Sequence, residues 1–435
     1  MSSPSRRQLL ASGLAWMLAQ LAPRSAAAVA REPYGGRLQL SLPLDAERLD
    51  PHEADDLGAA LLGGNLFESL FALDGRGQPY PTLAAELPEE RRGRLHLRLR
   101  PELHSARGKL LDAADAVASL TRAERAQPWL PALGPVRRES SDVLSFPLTP
   151  ALELAQRLAS SRFALVPSDF DAGRPDGHGA FVANRSGTSL ELLRNVNAAR
   201  GGSYLDAVGI ECSELSECLR AFESGRSELG WLGDGLYQKR AATVPFRLAP
   251  LGFVYVRPGR KLGRLAAPGV LTAALEATPS RALDALGYQR TTVPTARAVS
   301  GLSGALCYPR GAPQLRATAE ALAEAWSTAQ TRIEPRELGR QEASELRKRG
   351  DFELMLGFAR TAGLDERALH SLLFHLDGAP VPTRFTPEPP ERLVRRLGLG
   401  IVGWLAPSGA CVPSFAGALT GAAIELTEQK IRPIR

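Results

Sequence analysis

The residues of this 435-residue chain that could do chemistry are few, and their spacing suits almost none of it. Six histidines are present: His52, His96, His104, His178, His370 and His375. His370 and His375 are the nearest pair. On a helix their separation makes them diverge, whereas two imidazoles sharing one metal need the i, i+4 spacing. His178 lies between Gly177 and Gly179 and reads as structural. The four cysteines, Cys212, Cys218, Cys307 and Cys411, fit no zinc motif. Cys212 and Cys218 are close enough in sequence to pair in an oxidising compartment, or to stay a buried thiol pair. H-E-x-x-H, G-x-S-x-G and G-x-x-x-x-G-K-S/T are all missing, so no metalloprotease, serine hydrolase or P-loop chemistry is supported. Gly233-Asp234-Gly235 is a nest for an anion or an ordinary turn, and the turn is the better reading. The chain is expected to carry no metal, no cofactor and no catalytic constellation. What remains is binding, which requires only a cleft that buries its guest and a few fixed polar groups.

The elements that would build such a cleft begin between Gly36 and Leu120. Leu38-Gln39-Leu40-Ser41-Leu42 alternates apolar and polar residues as a sheet strand does. Leu49-Asp50-Pro51 stops it, because proline fixes φ and has no N–H to donate. From Leu57 to Phe71 apolar residues recur at helical spacing, and Asp74-Gly75 turns the chain. Leu95 to Arg100 is a second alternating strand. Asp112 can cap a helix carrying Val117 and Leu120, with Asp115 in its first turn.

That order resembles the start of extracellular solute-binding proteins of family 5, the receptors of oligopeptide, dipeptide and nickel ABC importers. The matching pieces are Leu49-Asp50-Pro51, Leu66 to Phe71 with Asp74-Gly75, Pro81-Thr82-Leu83-Ala84, Leu99-Arg100, and Asp112 to Val117. No piece is specific alone; five in order over about 70 residues are. The resemblance implies an α/β chain with two lobes, mixed sheets flanked by helices, and a hinged cleft between the lobes. Family members are commonly longer, so this chain would be a short, divergent one with trimmed loops.

Residues 1–30 read as a targeting segment and are set aside from the fold. Ser5-Arg6-Arg7-Gln8-Leu9-Leu10 is a twin-arginine pattern, an apolar run follows to Ala22, and Ala28-Val29-Ala30 is an A-x-A-like cleavage site, with Ala26-Ala27-Ala28 as the second choice. Both export routes that fit, twin-arginine and Sec, end outside the cytoplasm, so the protein is expected in the periplasm. No cysteine lies near the cleavage site to take a lipid anchor, and no later apolar run approaches the ~20 residues that span a bilayer. The net charge is +6. Arg6, Arg7 and Arg24 belong to a leader without acids, and removing them leaves too little positive charge to argue for nucleic acid.

The rest of the chain agrees with this reading. Val143 to Leu148 is a strand, Leu152 to Leu158 a helix, and Ala164-Leu165-Val166-Pro167 a step similar to one in the family. Pro175 to Phe181 stands where the family carries a Gly-x-Gly-Pro-Phe turn, with Ala180 in place of the proline. Tyr204-Leu205-Asp206 leads into a strand, and Leu219 to Gly225 is a short helix closed by glycine. Strands at Gly304–Tyr308 and Phe352–Phe358 alternate with helices at Pro313–Trp326 and Gln341–Arg349, which predicts a mostly parallel sheet. Val381 to Pro390 is a proline-rich surface connection, Glu391 to Leu397 a helix, and Gly400 to Trp404 a strand. The expected boundaries are residues 31–254 for the first lobe with a small subdomain, 255–402 for the second, and 403–435 for the return to the first.

Under the resemblance, strand ends near Trp231, Tyr255, Phe358 and Trp404 would line the cleft, since aromatic rings offer broad apolar faces to a peptide. Taken singly, each reads as well as a core aromatic. Asp234 and Arg360 complete the candidate set. Peptide-binding relatives carry an acid shortly after the strand that ends here at Gly357-Phe358, and it holds the ligand's amino terminus. Thr361 stands there instead, and Arg360 beside it would prefer a carboxylate or phosphate. A charge-assisted bond of that kind contributes roughly 1.5–3 kcal/mol. The function expected is that of a monomeric periplasmic receptor. It binds a peptide or similar small solute and delivers it to the permease subunits of an ABC importer. The alternatives are a receptor of the same fold that senses without transport and, less well supported, a secreted hydrolase.

Overall fold

The computed structural model describes residues 35–44, 47–53, 55–231, 240–284, 286–290, 301–419 and 421–428. The chain opens with β1 (Arg37–Leu42), whose Leu38, Leu40 and Leu42 all face the core. Next comes α1 (Leu57–Leu66), buried on nearly every side and therefore apolar all round. A subdomain follows. It consists of the hairpin β2 (Phe71–Leu73) and β3 (Pro79–Pro81), the strands β4 (Glu89–Arg91) and β5 (Arg94–Arg98), α2 (Ala113–Ala126), β6 (Arg137–Arg138), β7 (Val143–Pro147) and α3 (Ala151–Leu158). Its second sheet has the order β4-β5-β7-β6, and it keeps its own core around Leu97, Leu120 and Phe146.

The chain then returns to the first lobe through β8 (Phe181–Ser186), β9 (Ser189–Arg194), β10 (Ala207–Cys212), α4 (Leu215–Glu223) and β11 (Leu229–Trp231). β1 lies parallel to β10 at the edge of a sheet ordered β1-β10-β9-β8. After β12 (Val244–Arg247) the second lobe is built from β13 (Gly252–Pro258), α5 (Val270–Ala277), α6 (Ser280–Asp284), β14 (Tyr288–Gln289), β15 (Gly304–Pro309), α7 (Pro313–Trp326), β16 (Ile333–Leu338), α8 (Arg340–Arg349), β17 (Leu354–Arg360), α9 (Glu366–Asp377), α10 (Pro390–Leu397) and β18 (Gly400–Leu405). β19 (Ser408–Cys411) carries the chain back.

The second lobe's sheet, β14-β18-β13-β17-β15-β16, is parallel only around β15. This corrects the expectation of a mostly parallel sheet. β13 and β18 cross from the other lobe side by side, so they pair antiparallel with each other, and β13 also runs antiparallel to β17. In the first lobe their continuations β12 and β19 pair again, within the small sheet β11-β19-β12. Residues 248–251 join β12 to β13 and residues 406–407 join β18 to β19, and the expected boundaries after 254 and after 402 lie within β13 and β18. One apolar cluster runs through this hinge, joining Leu229, Trp231, Leu248, Leu251 and Val254.

Two local departures have long-range causes. α1 stops at Leu66, short of the Phe71 that the spacing suggests, because the loop at Gly177–Gly179 docks on its end and the Gly179 N–H bonds the Leu66 carbonyl at 3.0 Å. A Cβ on Gly179 would lie 2.6 Å from the Asn65 carbonyl oxygen, so glycine is required for the approach. The buried Asn65 amide in turn holds the C-terminal segment, donating to Ile424 O at 2.7 Å and accepting from Leu426 N at 2.8 Å. No disulfide joins Cys212, Cys218, Cys307 or Cys411.

This docking yields a stability test. Gly179→Ala is expected to lose ~1–3 kcal/mol in urea denaturation, since the clash is with backbone that cannot rotate away. Gly75→Ala, in a turn with open space around it, should stay within about 0.5 kcal/mol of the parent.

Candidate ligand-binding cleft

A cavity of about 390 Å³ lies between the lobes, at the carboxyl ends of β1 and β15. Parallel strands release their chain there into loops and helix N-termini, which is where open α/β sheets place their ligands. The first lobe contributes Leu44, Arg48, Glu53, Asp55, Asp56 and the start of α1. The second contributes the Pro309–Ala312 turn, Gln314, Phe358 and, from α8, Arg340 and Arg347. The wall is therefore acidic on one lobe and largely basic on the other.

The acidic wall is held by a buried carboxylate. Asp50 is fully buried and is bridged by both terminal nitrogens of Arg122 on α2, one of them at 2.9 Å from Oδ1. Its own N–H donates to Asp56 Oδ2 at 3.0 Å, and its Oδ1 accepts from the His52 amide at 3.0 Å. The His52 ring places Nε2 at 2.8 Å from Ala164 O and Nδ1 at 2.7 Å from Arg122 Nη1. Both contacts are met by one species, the neutral imidazole that donates from Nε2 and accepts at Nδ1. Asp56 caps α1, accepting from Ala59 N at 2.8 Å. The Leu-Asp-Pro motif is thus a structural hub that fixes the residues after it in the cleft wall.

Burial sets the ionisation of these groups. It opposes charge on Asp50, but the Arg122 guanidinium and the His52 amide outweigh it and hold that carboxyl below its ordinary range. Burial lowers His52 to about 4, and Arg122 adds to the effect. Burial raises Asp56 to about 7 despite the amides of Ala59 and Asp50, and it raises Glu53, helped by Asp55 and Asp50.

Polar contacts join the lobes at the cavity's rim and away from it. Asp55 Oδ2 meets Arg347 Nη1 at 2.9 Å across its rim. Arg316 on α7 reaches Glu214 before α4 at 3.5 Å. At the subdomain, Arg162 donates to the Arg360 carbonyl, and Arg360 donates to Ser161 Oγ. The Arg162 guanidinium also bonds Gln127 Oε1 at 2.8 Å and lies 5.3 Å from the Trp129 ring centroid.

Of the candidates read from the sequence, Phe358 lines this cavity. Trp231 is buried in the hinge cluster, paired to Gly409. Tyr255 is buried against Gly357, where a Cβ would come within 2.7 Å of its ring. Trp404 pairs with Phe253 across the strands and packs edge-on to it at 5.5 Å. Val254 pairs with Phe358, so the alternation of β13 sends Phe253, Tyr255 and Trp404 to one face and Val254 and Phe358 to the other. Trp404 instead lines a small apolar groove with Leu369, Leu373 and Val394. Arg360 is buried at the lobe contact and does not line the cavity. Asp234 lies outside the described residues.

Arg48, Glu53, Asp55, Arg310, Arg340 and Arg347 escaped the sequence reading. The signal available was the acidic run after Asp50-Pro51, just before a helix. Among the described residues, no group of three or more His, Cys, Asp or Glu side chains is placed to hold a metal ion, and no helix is long and apolar enough to cross a membrane.

No protein-family model matches the chain, and no curated protein sequence matches it. Solved structures do match. The chain is similar to Listeria monocytogenes OppA bound to peptide, at 12% identity over 92% of this chain and 99% of that one, with a TM-score of 0.66. It is similar to the oligopeptide-binding protein AppA from Bacillus subtilis in complex with a nonapeptide, at 12% identity over 88% and 96%, with a TM-score of 0.63. The Escherichia coli murein tripeptide binding protein MppA matches at 13% identity over 91% and 99%, with a TM-score of 0.62. At these identities the likeness is one of fold, and the fold is the two-lobed one of periplasmic binding proteins.

Two predictions follow from the hub. Asp50→Ala is expected to destabilise by about 3 kcal/mol, the low end for a broken buried pair because Arg122 reaches solvent. The double variant Asp50→Ala/Arg122→Met should recover part of that loss in urea titrations. The second concerns pH. His52 binds its proton first in the unfolded chain, so acidification from 6.5 towards 4 weakens the fold. Asp56 binds its proton first in the folded chain, so acidification from about 7 towards 3.8 strengthens it. Asp56→Asn removes the second effect and keeps the cap to Ala59 N, at the cost of the Asp50 N–H acceptor, a loss that does not vary with pH. Its stability should fall more steeply on acidification, by about 1.4 kcal/mol per pH unit; parallel curves would refute the assignment.

Proposed function

We propose that the protein is a solute receptor, a short and divergent member of the family 5 solute-binding proteins. Its lobes bind a peptide or similar small solute between them and present it to the permease subunits of an ABC importer. The observation that carries this reading is the inter-lobe cavity, walled from both sides and joined behind by two paired crossing strands. Such a hinge lets each lobe move as a unit, and a guest touching both walls favours the arrangement in which they meet. The fold is shared with proteins solved with a nonapeptide and with a peptide. The motif order from Leu49 to Val117 supports the same family. The twin-arginine leader supports export to the periplasm, with Tyr255, Trp231 and Trp404 serving the hinge and lobe cores and Phe358 the cleft.

Protein purified from periplasm should release a small molecule on denaturation, identifiable by mass spectrometry. Adding that molecule back to stripped protein should reduce the radius of gyration in X-ray scattering. Asp55→Asn or Arg347→Gln should weaken its binding roughly 2–5-fold, as befits a half-exposed ion pair that helps hold the lobes together. A preparation that releases nothing and never compacts when offered a broad solute library would overturn the receptor reading.

A further inference from the structure

A second cavity, of about 810 Å³, lies beyond the Asp55–Arg347 bridge. Arg347 and Ser344 line both chambers, so this part of α8, with Arg347 paired to Asp55 on the first side, lies between them. The second chamber takes Arg125 from the end of α2, Arg257 from β13, Arg260 from the turn after it, and Lys348 and Arg349 from the end of α8. Among the described residues, Asp377 is the one carboxylate in its wall. Arg125, Arg260, Lys348 and Arg349 are exposed and, among the described residues, have no carboxylate within ion-pair distance. The buried Nε atoms of Arg257 and Arg347 have no hydrogen-bond partner.

A basic end to α8 has an ordinary explanation, since cations complement the carboxyl end of a helix. That accounts for Lys348 and Arg349 but not for the convergence. Arg125 comes from the opposite lobe, while Arg257 and Arg260 come from a strand end and the turn beyond it. Like charges gathered around one volume repel one another, and they raise the local concentration of anions. A wall with this excess of donors and one acid suits a guest that supplies the missing charge.

We propose that the second chamber binds the acidic part of the guest, a small solute carrying two or more negative charges as phosphate or carboxylate groups. This rests on reading the inter-lobe cleft as the binding site. The chamber's volume admits such a group, and arginine forks match phosphate and carboxylate oxygens two at a time. The anionic anchor is thus assigned to Arg125, Arg257, Arg260, Lys348 and Arg349, while Arg360 serves the lobe contact.

The test is calorimetric titration of the full chain with pyrophosphate and with citrate, at low and at high salt. At least one should bind, more weakly at high salt, and which one does separates phosphate from polycarboxylate recognition. Lys348→Gln/Arg349→Gln should weaken that binding at least roughly tenfold, while Arg76→Gln, on an exposed turn away from the cleft, leaves it unchanged. The inference is overturned if neither anion binds, or if the double variant binds as the parent does. Scattering on the same samples separates the two readings. A co-purified solute that compacts the protein equally in parent and double variant would keep the receptor and remove the anionic chamber. Anion binding lost in the double variant, with no compaction by any solute, would keep the chamber and remove the receptor.

Discussion

A carboxylate cannot stay charged in an apolar interior unless its neighbours replace the water it has lost, and Asp50 is the place where this chain meets that demand. Arg122 supplies the counter-charge from the subdomain and the His52 amide supplies a hydrogen bond. The Asp50 N–H itself donates to the residue that caps α1. His52 extends the network to the Ala164 carbonyl on the segment following the subdomain. Three separate pieces of chain are thereby fixed relative to one another, and Glu53, Asp55 and Asp56, which follow the knot, form the acidic wall of the cleft. Loss of any one partner leaves a buried charge or acceptor uncompensated, so the site's geometry and the lobe's stability depend on the same few bonds.

The hinge obeys a different rule. Behind the cleft the lobes share continuous apolar packing and two paired strands, with Gly252 seated so closely on β17 that a Cβ would lie 2.0 Å from the Ala359 carbonyl oxygen. At the cavity's rim they meet through the half-exposed Asp55–Arg347 pair, and at the subdomain Trp129 and Leu130 pack into the second lobe's core with Phe253, Tyr255 and Ala359. Apolar packing in a close-packed interior resists shear, whereas half-exposed ion pairs exchange readily with water. The half-exposed pair thus sits at the rim of the cavity, while the apolar packing lies behind it and at the subdomain.

Much of this architecture was legible because local rules and tertiary context agreed. Leu38, Leu40 and Leu42 alternate and do face the core; Asp112 caps α2 with its side chain; Pro313 opens α7. Where they disagreed, the deciding partner was distant in sequence. The end of α1 is set by a glycine loop more than a hundred residues later, and the antiparallel half of the second sheet by how two crossing strands enter it. The site was less legible than the fold for the same reason. Which aromatic faces the cleft depends on the register of β13 against β17 and β18, and one step along a strand reverses the face. The charged walls come from a loop after β1 and from α8, joined only when the lobes meet.

The opposite signs of those walls limit what a guest must do. When the lobes come together, Asp55 already has Arg347, so the meeting of the walls is favourable even without a ligand, though by little, because both side chains remain partly in water. A neutral solute that merely filled the first chamber would gain from burial while leaving that pair intact. A solute long enough to span both chambers must pass beside the pair or replace it. Replacing it without loss requires a positive group for Asp55 and a negative one for Arg347, with the negative end directed towards the basic chamber beyond. On the proposed reading the bridge is therefore a selective element as well as a latch: its polarity favours one orientation of a dipolar guest, and its modest strength lets such a guest displace it.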